Sequence, residues 1–192
     1  MIKMNRQLDA ALKDLKNTNA EIFYHSLRTK KLVLMMIEKT NALGITNYNS
    51  DEIDIICKGA LLHDIGKLQI DNFILTKDSY LTSEETEAVK KHVDYGYKLV
   101  KNHLESDELE FITNICKLHH ERCDGSGYNG ITDLPEYVNI VAVCDVFDAL
   151  FSDRIYRDGF PADKSIDLIR NGACGGFEPK LVDIMEEISK KL

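Results

Sequence analysis

The chain has 192 residues, with 24 Lys plus Arg against 32 Asp plus Glu and a net charge of −8. That length suits one domain with a substantial core, read as 1–192 with a leader helix over 1–18. The acidic balance argues against general binding to DNA or RNA, whose affinity comes mainly from phosphate neutralisation. Its five cysteines are odd in number and lack CxxC spacing, which fits a reducing cytoplasm. No hydrophobic signal segment opens the chain, and no apolar run approaches the ~20 residues of a membrane-spanning helix.

In chain order, Leu27, Val33, Leu34 and Ile37 form a long amphipathic pattern that stops near Gly44. Ser50 is expected to cap the next helix, whose apolar face carries Ile53, Ile56, Ala60 and Leu61 and which ends near His63 and Asp64. Thr82 and Glu85 have capping-box spacing, so a helix is expected over about 83–103. Further helices are read at about 107–120, 135–151, 162–171 and 179–191. Segment 121–134 holds Asp-Gly and Asn-Gly dipeptides and reads as an extended loop or short hairpin. The expected fold is all-α.

The chemistry concentrates in histidines and aspartates. His63 and Asp64 are adjacent in Leu-Leu-His-Asp-Ile-Gly-Lys (61–67), and His119 and His120 are adjacent in Leu-His-His-Glu-Arg (118–122). Imidazole suits Fe, Zn and Ni, while a carboxylate can bridge two ions, so this set points to a hydrolytic metal centre. His92 lies in a helical segment, and Asp145 interrupts the apolar run Ile-Val-Ala-Val-Cys-Asp-Val-Phe-Asp-Ala-Leu (140–150). A carboxylate buried there would need a partner such as a metal. Glu21 and His25 are one helical turn apart on one face. His103 fits none of these patterns and reads as a solvent-facing residue at a helix end.

The stretches HSLRTKKL (25–32), ALLHDIGKLQIDNFILTKDSYLTSEE (60–85), KKHVDYGYKLV (90–100), HHERCDGSGYNG (119–130), VAVCDVFDALFSDRIYR (141–157) and GFEPKLV (176–182) stand in the order and spacing of one family. The chain resembles the HD-GYP branch of the HD phosphohydrolase superfamily, which hydrolyses cyclic dinucleotides, cyclic di-GMP above all. It departs from the pattern at three places. The family's Gly-Tyr-Pro reads Gly127-Tyr128-Asn129, its usual Trp reads Cys123, and its Phe-Asp-Pro reads Phe177-Glu178-Pro179.

The resemblance implies an HD-domain helical bundle holding two or three divalent ions, iron or manganese. Their ligands would be Glu21, His25, His63, Asp64, His92, His119, His120 and Asp145, with Asp64 as the bridge. Two ions about 3.5–4 Å apart would activate a bridging hydroxide as nucleophile. Lys67 would contact the scissile phosphodiester, Arg154 and Arg157 the phosphates or guanine, and Tyr128 the substrate. The implied reaction opens cyclic di-GMP to pGpG or GMP. Another cyclic dinucleotide, a nucleoside monophosphate, or an inert cyclic-dinucleotide sensor remain alternatives. A protein partner or homodimer is left open, as are metal identity and signalling input.

Overall fold

The computed structural model describes residues 5–104, 106–153 and 158–192. Helix α1 (Arg6–Thr18) is capped by Asn5, whose side chain accepts from the Gln7 N–H. The single residue Asn19 separates it from α2 (Ala20–Ala42), and the Asn19 side chain caps α2 by accepting from Ile22. The interruption lets α1 fold back and pack against α2, burying Leu8, Leu12 and Leu15. Of the α2 residues expected in its apolar pattern, Val33 and Ile37 are buried, whereas Leu27 and Leu34 are exposed. The buried stripe instead runs through His25, Thr29, Leu32, Val33, Met36, Ile37 and Thr40.

Helix α3 (Ser50–Leu62) starts at the residue expected to be its cap, and the cap lies one residue earlier. Asn49 is the N-cap, and it forms a capping box with Glu52. A 3₁₀ turn (Ile65–Gln69) and the short α4 (Asn72–Leu75) follow. The helix expected over 83–103 is two helices, α5 (Ser83–Lys90) and α6 (His92–Lys101). At the break the Lys91 N–H bonds to the carbonyls of Ala88 and Val89, tightening the last turn of α5. The Thr82–Glu85 capping box is present.

The remaining helices are α7 (Ser106–Leu118), α8 (Glu136–Phe151), α9 (Ala162–Arg170) and α10 (Pro179–Ser189). Segment 121–134 is a loop and not a hairpin, and no strand occurs among the described residues. Its buried carboxylate Glu121 gathers the loop's N–H groups, which removes the need for cross-strand pairing.

Helix α8 is apolar on nearly every side and lies at the centre, with α2, α7, α9 and α10 packed against it. One apolar cluster joins α2, α3, α8, α9 and α10 around Met36, Ile56, Val141 and Phe147. A second joins α1, α3, the 3₁₀ turn, α6 and α7 around Leu8, Leu62, Ile65 and Ile112. The histidines and aspartates lie where these elements meet. His103, expected to face solvent, is half-buried just past α6 and donates through Nδ1 to the Leu99 carbonyl.

Candidate metal centre

Each ligand candidate sits at a helix end or on a core-facing side. His63 caps the C-terminus of α3, and Asp64 opens the 3₁₀ turn. That turn lies against α6 because residue 66 is glycine. A Cβ there would stand 2.0 Å from the His92 carbonyl oxygen and 2.4 Å from Gly96 N. The close approach brings the first residue of α6, His92, to 3.3 Å from Asp64 Oδ1. His119 and His120 follow the end of α7, and α8 presents Asp145 from a fully apolar stretch. Helix α2 contributes His25.

Two groups of ligand atoms result. Asp64, His92, His119 and His120 converge in one, and His25, His63 and Asp145 in the other; within each, the atoms lie within 4.8 Å of one another. Asp64 faces both groups. Its Oδ1 is 3.3 Å from His92 Nε2 and 3.8 Å from His119 Nε2, and its Oδ2 is 3.4 Å from His63 Nε2 and 4.0 Å from His25 Nε2. Lys67 Nζ also bonds Asp64 Oδ2, at 2.7 Å.

The hydrogen bonds at the rear of the rings decide what the front can do. Nδ1 of His63, His92 and His119 each faces a backbone carbonyl, of Ala60, Val89 and Ile115, at 2.8, 2.7 and 3.0 Å. A carbonyl only accepts, so each Nδ1 carries a proton and a neutral ring turns the lone pair of Nε2 inward. His92 Nε2 and His119 Nε2 are 3.3 Å apart. With both rings neutral, two lone pairs oppose each other, an arrangement that a cation between them would relieve. Among the described residues His63 Nε2 and Asp64 Oδ1 are buried with no hydrogen-bond partner. Orphaned polar atoms of this kind are costly unless an ion or water completes them. The donor set therefore fits divalent metal ions of the imidazole-preferring kind.

Charge follows the same division. Burial pushes His92 down to about 4 and His120 down to about 3, and it lowers His119 as well, so all three are neutral at pH 7. Burial also opposes charge on His63, but Asp64 and Asp145 outweigh it and lift that ring to about 10. His25 is raised likewise, its burial outweighed by hydrogen bonds to Asp145 (2.8 Å) and Asp148 (2.7 Å). Against the cost of burial, Lys67 and His63 hold Asp64 ionised, and His25 and His63 hold Asp145 ionised. Without metal, protons on His25 and His63 balance carboxylates that a bound cation would otherwise balance.

A cavity of about 200 Å³ adjoins the centre, lined by Glu21, His25, Asp64, Lys67, His120 and Asp145 together with Ile22, Arg122, Val146 and Ala149. Glu21 thus stands on the cavity wall beside His25, outside both ligand groups. Tyr128 stacks on His120 with ring centres 4.4 Å apart, and Lys90 Nζ lies 5.5 Å from its ring centre. Arg154 and Arg157 lie outside the described residues.

Three residues were not singled out from the sequence. Asp148, 2% exposed, accepts from His25 Nδ1 and from Arg28 Nε and Nη2, and so fixes the His25 ring from behind. Its signal was present, as a second aspartate interrupting the apolar run three residues after Asp145. Glu121 is buried beneath the glycine-rich loop. Arg122 donates to the carbonyls of His119, Glu121 and Cys174 and packs on Phe177, tying the His-His turn to the segment before α10.

The HD domain family matches residues 22–150. The chain belongs to the HD domain family. A cyclic di-GMP phosphodiesterase of Vibrio cholerae serotype O1 is 32% identical over 176 residues, 87% of this chain and 36% of that protein. From the same organism, 3'3'-cGAMP-specific phosphodiesterase 2 is 30% identical over 189 residues, 91% of this chain and 35% of that protein. The chain therefore spans about a third of the length of these curated relatives. Bd1817, an HDG"Y"P protein from Bdellovibrio bacteriovorus, shares the fold with a TM-score of 0.69 at 22% identity, over 93% of this chain and 55% of that one. The all-α bundle and the HD-GYP resemblance read from the sequence both hold. No helix among the described residues is long and apolar enough to cross a membrane.

Proposed function

We propose that this HD domain is a metal-dependent phosphodiesterase that opens a cyclic dinucleotide, with cyclic di-GMP as first candidate, to linear pGpG or GMP. The observation that carries the reading is Asp64, whose two oxygens face two buried ligand groups beside a cavity that Lys67 also lines. When bound there, a pair of divalent cations, iron or manganese, would activate water and stabilise charge on the phosphodiester.

The chain's own residues do the rest. His92, His119 and His120 would offer neutral ring nitrogens to one ion, and His25, His63 and Asp145 would hold the other, with Asp64 available to both. Glu21, on the cavity wall beside His25, would add a ligand for a third ion. Lys67 places a positive charge beside the reacting phosphate, where negative charge grows as the bond breaks. Tyr128 presents an aromatic face to a base, and Arg154 and Arg157 bind phosphate or guanine edges.

The test is chromatography of cyclic di-GMP products after the chelated protein is reloaded with Fe(II) or Mn(II). Formation of pGpG or GMP only with metal is expected, and no turnover with either metal would overturn the reading. A second reading, hydrolysis of 3'3'-cGAMP, has support in the 30% identical relative named for that substrate, and the same assay run with both dinucleotides separates them. The intact pair of ligand groups counts against an inert sensor, which would bind cyclic di-GMP without cleaving it.

A further inference from the structure

Among the ring ligands, His120 is held differently. His63, His92 and His119 are each fixed by an Nδ1 hydrogen bond to a carbonyl, and His25 by Asp148. Among the described residues His120 makes no hydrogen bond through either ring nitrogen. Its ring instead touches other rings: the neighbouring ligand candidates His119 and His92, with centres 4.1 and 5.1 Å away, and Tyr128 from outside the ligand set, stacked at 4.4 Å with the ring planes 27° apart.

Tyr128 is in turn held by its loop. Glu121, 1% exposed, accepts from the Asn129 N–H at 3.0 Å, from Asn129 Nδ2 at 2.7 Å and from the Ile131 N–H at 3.1 Å. The loop can close this tightly on Glu121 because residue 127 is glycine; a Cβ there would lie 2.4 Å from Glu121 Cα and 2.8 Å from the His120 carbonyl oxygen. Proline in place of Asn129 would have no N–H and no side-chain amide and would lose both bonds to Glu121; any other residue keeps the N–H bond, and the Nδ2 bond is the asparagine's own contribution.

We propose that Asn129 is a positioning residue for the metal centre. By anchoring the Gly-Tyr-Asn loop to buried Glu121 it presses Tyr128 onto His120, and the stack orients His120 as the carbonyl hydrogen bonds orient the other rings. The asparagine supplies through hydrogen bonds the stiffness that a proline ring would give by covalent constraint. This inference rests on the metal-centre reading, and its test is therefore metal binding and not turnover.

The chelated protein is titrated with Co(II), following the visible absorption of the bound ion, and with Mn(II), followed by elemental analysis after desalting. Tyr128→Phe keeps the stack and should bind as wild type. Tyr128→Ala should weaken one ion by about tenfold or more, the usual scale for losing a residue that orients a ligand, and should shift the Co(II) spectrum. Asn129→Asp sets a carboxylate against Glu121 and should weaken the same ion similarly. Asn129→Ala keeps the N–H bond and should fall between it and wild type. Circular dichroism confirms that each variant is folded; a variant that loses its helices is replaced by Asn129→Ser, which retains the N–H and must also fall below wild type. Wild-type affinity and spectrum in both Tyr128→Ala and Asn129→Asp would overturn the inference. Absence of metal binding by the wild type would instead overturn the metal-centre reading.

Discussion

At Asp64, one carboxylate meets four histidines and a lysine, and its removal should be felt by both ligand groups. Asp64→Ala is expected to abolish hydrolysis of cyclic di-GMP and to reduce bound metal while circular dichroism still reports a helical fold; turnover near the wild-type level would contradict the shared-ligand role. Glu21→Ala should lower bound metal by about one ion per chain, with the pair at Asp64 retained, because each site depends on its own ligand count. Unchanged stoichiometry by elemental analysis would make Glu21 a cavity-wall residue only. On the proposed reading Lys67 stands where charge develops, so Lys67→Ala should lower kcat and kcat/KM together by roughly 30- to 1,000-fold, about 2–4 kcal/mol. If Arg154 holds the substrate as proposed, its contact would be made equally before and during reaction, and Arg154→Ala should mainly raise KM. Steady-state kinetics on the two variants check this division, and the opposite pattern would reverse their roles.

Among the elements, the contact between the 3₁₀ turn and α6 is the most demanding. Gly66 lies so close to the His92 carbonyl and to Gly96 that even a methyl group cannot enter without separating the two backbones. Gly66→Ala should destabilise the fold by about 1–3 kcal/mol, as overpacking does in a well-filled interior. Because the same contact sets the distance from Asp64 to His92, it should also weaken metal binding. Thermal denaturation and metal titration of one preparation measure both effects, and wild-type values in both would show that the turn tolerates displacement. Helix boundaries illustrate what local sequence conveys at this scale. The capping boxes at Asn49 and Thr82 act within four residues and fix where α3 and α5 begin. The break at Lys91 has no proline or glycine to announce it, and it arises where α6 is drawn against the 3₁₀ turn.

For the whole molecule, metal-free protein should have a distinctive dependence of stability on pH. His92 and His120 titrate at about 4 and 3 when folded against an ordinary value of 6.5, so the fold resists protons that the unfolded chain accepts, and stability falls as pH drops below about 6.5. His63 is raised to about 10, so its contribution is complete below 6.5 and is lost as pH climbs toward 10. The melting temperature of the chelated protein should therefore peak near neutrality. Added Mn(II) should raise it and flatten the alkaline decline, since the cation replaces the proton as partner of Asp64 and Asp145. A flat profile for the chelated protein, measured by thermal denaturation across pH 5 to 9, would mean that His92 and His120 are not buried, and that His63 does not face the carboxylates, as described.

The sequence by itself determined the helical class, most helix positions and the ligand candidates, because helix periodicity and capping are local and because candidates such as His63-Asp64 and His119-His120 are adjacent in the chain. It also contained the order of motifs by which the HD family is recognised. What it could not convey was any relation across the chain. Asp148 supports His25 from 123 residues away, the N–H groups of Asn129 and Ile131 converge on Glu121, and one oxygen of Asp64 faces each ligand group. Leu27 and Leu34 look like core residues and are exposed, because α2 turns its polar His25 and Thr29 inward with its apolar stripe. Such choices depend on which helix faces meet, and only packing around the buried α8 decided them.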